Sequence, residues 1–215
     1  MTMFAPESIG RLLVENIPHE LILGIDEALD IGARRAYKNA TGMNEGHLPH
    51  ALGQQRHFHM NETFHLALES GGAAPSPIKG NSVVFGRAGM FTLARFNIKL
   101  GMWINAKRSA TRRQMAAANK AMEPLVQVEL FDAFEKPTGG TVFFVSCFSN
   151  STRFQPERPV VIEIAVPNAK MNGWLFREEI SAFAARYSIA KPQEDNVKPI
   201  LKERVRRQGK DGAAI

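Results

Sequence analysis

One long stretch of this chain lacks negative charge altogether. Between Glu69 and Glu123 there is no aspartate or glutamate, yet Ser70 to Met122 holds nine cations: Lys79, Arg87, Arg95, Lys99, Lys107, Arg108, Arg112, Arg113 and Lys120. The chain as a whole carries +6, so the remainder sums to −3, with 18 Lys and Arg against 21 Asp and Glu. Positive charge is therefore segregated along the sequence. Such a field fits a polyanion or an acidic neighbour. It does not fit an ordinary soluble surface, on which both signs are interspersed.

The other shortages exclude whole classes. The one cysteine, Cys147, cannot close an internal disulfide. It lies in the apolar run TVFFVSCF and reads as a buried, inert thiol in a reducing compartment. No run approaches the ~18 apolar residues of a membrane span. The first residues, MTMFAPESIGRLLVENIP, have neither an apolar signal core nor a small-residue cleavage site. Together these point to a cytoplasmic protein without a membrane partner. There is no internal repeat or heptad array. A phosphate-binding or dinucleotide glycine loop, a G-x-S-x-G elbow and the ligand spacing of a zinc finger are all missing. The aromatic pattern of an RNA-recognition sheet is missing too.

What is present is a globular composition, 44% hydrophobic and 22% charged over 215 residues, long enough to bury a core. Leu21, Ile22, Ile25, Leu29 and Ala36 recur at helical spacing and predict a helix over 19–38. The Asn-, Gly- and Pro-rich segment 39–52 reads as a loop, and a second helix follows over 53–69. ESGGAAPSPIKGNS, residues 69–82, is the strongest breaker signal and the candidate sub-boundary, near 70–80, within a domain spanning 1–190. Strands are expected at 82–85, 90–98, 125–131, 141–148 and 159–166, with a helix over 106–122 between the second and third. Phe176, Ile180, Phe183, Ala184 and Tyr187 predict a last helix over 173–187. Residues 191–215 read as a basic, flexible tail. The whole is an α+β fold: an N-terminal helical part, a mainly antiparallel sheet of about five strands, a basic helix between strands and a C-terminal helix.

The run AKRSATRRQMAAANKAM concentrates the chemistry. On a helical wheel Arg108, Arg112, Arg113, Asn119 and Lys120 share one half, and alanines and methionines the other. Arginine forks suit phosphate oxygens and guanine edges. The expected function is nucleic-acid binding, with duplex DNA the expected form and no bound cofactor. Lys107, Arg108, Arg112, Arg113 and Lys120 would make the main contacts. Arg87, Arg95 and Lys99 on the preceding hairpin would extend them, as would Lys202, Arg204, Arg206 and Arg207 in the tail. A solvated basic face, or one paired with an acidic subunit, is the plain alternative; a homodimer is compatible with either.

The rival reading is a metal-dependent phosphodiester hydrolase. His47, His50, His57, His59 and His65 crowd into one segment, and on a helix His59, Glu62 and His65 form the workable set for a divalent metal. Glu129 and Glu163, each inside a strand-like run, are the other candidate ligands. His57 falls on the apolar side and reads equally as a core histidine. Trp103 and Trp174 are expected to pack in the core, although Trp103 could stack on a base.

Overall fold

The computed structural model describes residues 5–126, 137–151 and 154–189. The α+β architecture is present. A five-stranded sheet has on one side the helices α1 (Ala5–Asn16), α2 (His19–Ala40), α3 (Leu48–Ser70) and α5 (Ile180–Ile189). Its strands lie in sequence order: β1 (Phe85–Ala88), β2 (Phe91–Lys99), β3 (Gly140–Phe148), β4 (Val161–Pro167) and β5 (Trp174–Glu179). Three pairings are antiparallel, and β2–β3 is parallel. No described helix is long and apolar enough to cross a membrane.

The helical layer follows from spacing. Leu21, Ile22, Ile25, Leu29, Ala33 and Ala36 fall on one stripe of α2 and are buried. Along that helix Gly32 faces Met60 and Thr63, while Ala36 and Ala40 meet Leu52, so α2 and α3 run antiparallel. At Gly32 a Cβ would lie 2.8 Å from the Met60 Cα. The two backbones touch there, and only glycine permits it. One continuous core, running from Ile9 to Phe183, includes residues on both sides of the 69–82 breaker.

The sheet is covered on both faces. Leu93, Val142, Phe144, Ile162 and Ile164 point into the helical layer. Ala94, Phe96, Phe143, Val145 and Cys147 point the other way, under the segment that connects β2 to β3. This explains why every residue of β3 is buried and why its sequence is a nearly continuous apolar run. A parallel pair also demands a long crossover.

The described part of that crossover corrects the expected helix over 106–122. It is three short pieces: a 3-10 helix Trp103–Arg108, α4 (Ala110–Ala116), and a second 3-10 helix Ala117–Leu125 containing Pro124. The first break is Ser109, which is extended and caps α4 by accepting from the Arg112 N–H at 3.3 Å. Asn119, fully buried, fastens the last piece to the sheet. Its Nδ2 donates to the carbonyls of Thr141 (3.0 Å) and Pro167 (2.8 Å), and its Oδ1 accepts from the Thr141 N–H.

Other expectations shift. The loop read over 39–52 gives way to α3 at Leu48, because Pro49 suits a first helical turn. The first strand lies at Phe85–Ala88 rather than 82–85, turning into β2 through Gly89 at φ +53. The helix read over 173–187 is β5 followed by α5. Phe176 and Phe183 still share a core contact, with ring centroids 6.0 Å apart, so a strand and a helix together imitate one helical stripe. The strand expected over 125–131 begins with Leu125 in the second 3-10 helix, and 127–131 lies outside the described residues, as does the tail.

Replacing Asn119 with Ala strands a buried N–H and two carbonyls. At about 1–3 kcal/mol per unsatisfied group with partial relaxation, urea denaturation is expected to show a loss of about 3 kcal/mol.

Candidate functional site

The parallel strands β2 and β3 end side by side, at Lys99 and Phe148. Beyond those ends lies a cleft of about 490 Å³. The first half of α3 forms one wall, and the Trp103–Arg108 helix with α4 forms the other. Among the described residues, four cations line it, Arg56, Lys99, Arg108 and Arg112, and no acid does. The end of a parallel strand pair is where open α/β sheets place ligands, because the chain leaves the sheet there and opens a crevice.

Two of the cations are held by aromatic rings. The Arg56 guanidinium lies 3.7 Å from the Phe148 ring centroid and donates through Nη2 to the Pro156 carbonyl. The Arg112 guanidinium sits 4.5 Å from the Phe96 centroid. Its Nε donates to the Ala106 carbonyl at 2.8 Å and its Nη2 to the Asn105 carbonyl at 3.2 Å. These are terminal carbonyls of the preceding 3-10 helix, a place where a cation is favourable.

Beneath the cleft the sheet carries an unusual polar strip. Arg95 and Asn97 share a face of β2, and Ser146 lies opposite Asn97 on β3. Arg95 is only 5% exposed. Among the described residues it makes one long hydrogen bond, 3.5 Å from Nη1 to the Arg56 carbonyl, and its Nε has no partner. The Nε of Arg56, the Oδ1 atoms of Asn97 and Asn105, and the Ser146 Oγ are also buried without partners. Neither Arg56 nor Arg95 forms an ion pair among the described residues. Burial pushes Arg95 down to about 9 and Arg56 down to about 10, so both remain charged at neutral pH. Burial also lowers Arg112. The site thus holds positive charge taken out of water with no counter-charge among the described residues, which is costly unless an anion supplies it.

The eight cations expected to meet phosphate are therefore not one surface. Lys99, Arg108 and Arg112 converge on the cleft, whereas Arg95 lies below the surface as a buried charge. Lys107 lines a separate pocket, and Arg113 donates to the Lys107 carbonyl at 2.6 Å. Arg87 and Lys120 are exposed but do not line the cleft. Lys202, Arg204, Arg206 and Arg207 lie outside the described residues. Sequence reasoning missed Arg56. It lies outside the acid-free stretch, in a segment read for its histidines, and no local spacing pairs it with Arg108 or Arg112.

The structure does not bring the expected histidine and glutamate ligands together among the described residues. His59 Nδ1 is 3.0 Å from Glu62 Oε2, and its Nε2 is 2.7 Å from Asn39 Nδ2, so both ring nitrogens have protein partners. His65 does not join them, and no group of three or more His, Cys, Asp or Glu able to hold a metal occurs among the described residues. Glu163 is engaged by Arg177 at 2.7 Å, and Glu129 lies outside the described residues. Cys147 is fully buried, and burial with the nearby Glu163 carboxylate pushes its thiol up to about 12. Comparison with known proteins gives no match to any family model, curated protein or solved structure.

Two measurements check these electrostatics. Arg95→Met keeps much of the stem and removes the buried charge, so unfolding free energy is expected to rise by about 1–2 kcal/mol. His57 is held below its ordinary value of 6.5 by burial, then by Arg95, against an opposing hydrogen bond that its ring donates to the Asn81 backbone. Below about pH 6.5 the unfolded chain therefore binds the proton first. Stability contributed by neutral His57 is full above that pH and is lost as the pH falls. His57→Gln should flatten the acid side of a stability–pH curve.

Proposed function

We propose that this protein binds nucleic acid through the cleft at the ends of β2 and β3. The observation that carries the reading is the convergence of Arg56, Lys99, Arg108 and Arg112 on one cleft that no acid lines among the described residues. Phosphate oxygens are the complement to such a set. Arg108 and Lys99 are exposed, while Arg56 and Arg112 are held by aromatic rings in fixed orientations. A phosphate chain also supplies the negative charge that Arg95 lacks inside the fold.

The test is a salt titration of oligonucleotide binding. With four cleft cations each meeting a phosphate, the log–log slope should be roughly −3 to −4. The double variant Lys99→Ala/Arg108→Ala removes two exposed side chains and should leave stability nearly unchanged. Its slope should be shallower by roughly 1.5. No binding at low salt, or an unchanged slope in the variant, ends the reading.

A further inference from the structure

The short helix Trp103–Arg108 separates the cationic cleft from a second concavity of about 240 Å³. A 3-10 helix has three residues per turn, so residues three apart lie above one another. The sequence WINAKR fills the resulting three faces differently. Ala106, below Trp103, is buried against the sheet. Asn105 and Arg108 line the cleft. Ile104 and Lys107 line the second concavity with Trp103, Trp174, Met171 and Asn172. There the two indoles meet edge to face with centroids 4.8 Å apart, and Arg177 lies 4.2 Å from the Trp103 centroid. Ile104 is 66% exposed, the most exposed large hydrophobic among the described residues.

We infer that this aromatic pocket takes an unstacked base, so that the nucleic acid bound is single-stranded. The inference rests on the nucleic-acid reading of the cleft. One helix presents a phosphate-binding face and, next to it, an apolar face bordered by indole rings and Lys107. A single strand needs that pairing: a charged track for its backbone and an aromatic surface for bases it cannot stack on a partner strand. In a duplex the bases are stacked and paired, and the exposed Ile104 and indoles would meet only phosphates and sugars. The pocket's lining cation, Lys107, matches the same polyanion and continues the positive field of the cleft across the helix, while Arg177 is paired with Glu163.

The two tryptophans of the chain both line this pocket. Intrinsic tryptophan fluorescence is therefore a reporter for it alone. The experiment titrates the full chain at low salt with a short oligothymidylate, an abasic strand of equal length, and a duplex of equal length. The expected result is quenching or a spectral shift with oligothymidylate, and no change with the abasic strand, which should bind roughly five-fold or more weakly while keeping its salt slope. Ile104→Ser, at an exposed position, should weaken oligothymidylate binding several-fold and leave abasic binding unchanged. Equal affinity for the abasic strand, or tighter duplex binding with unchanged tryptophan emission, overturns the single-strand inference and leaves nucleic-acid binding standing. Failure of all three to bind overturns both.

Discussion

The parallel pairing of β2 and β3 is the constraint on which the molecule turns. Antiparallel neighbours can be joined by a tight turn, as β1 and β2 are. Parallel neighbours cannot, so the chain must travel back along the sheet before β3 begins. That return covers the face formed by Phe96, Phe143 and Val145 and makes β3 a fully buried strand. It also leaves two strand ends together at one edge of the fold, where the crossover departs and a crevice opens. The cleft is a product of this topology, and Asn119 holds the returning segment against the strands that require it.

The electrostatics follow the same geometry. An arginine on the inner face of a central strand cannot reach water easily, and Arg95 has no carboxylate partner among the described residues. Most buried ion pairs offset their desolvation internally. This fold instead stacks Arg95 beneath Arg56 and places further cations around the opening, so repulsion among like charges adds to the cost of burial. The aromatic rings of Phe148 and Phe96 offset part of it through their electron-rich faces.

Much of this was legible in the sequence where one physical signal dominated. The α2 stripe, the apolar run of β3 and the α+β order follow from spacing alone. Lys99, Arg108 and Arg112, three of the cations that line the cleft, all lie in the acid-free stretch. Failures came where two signals competed. Phe176, Ile180 and Phe183 satisfy helical spacing, but pairing with β4 holds the first of them in a strand. The alanines of 106–122 favour a continuous helix, but Ser109 caps a new one and Pro124 and Asn119 tighten the end. Residues 5–16 were read only for a missing signal segment, although Ile9 and Leu13 are fully buried in α1. Arg56 was beyond reach, because its partners are distant in sequence and no local pattern links them.

The Trp103–Arg108 helix has a consequence for how this protein can change. Its faces are assigned by counting in threes, so substitutions alter one face at a time, whereas a single inserted or deleted residue rotates everything after it by about 120°. Such a change would carry Arg108 away from the cleft and bring another side chain against the sheet in place of Ala106. The segment should therefore tolerate variation in identity far better than variation in length. A span fixed at six residues, with a small residue kept at Ala106, is the signature expected among relatives that keep the same arrangement.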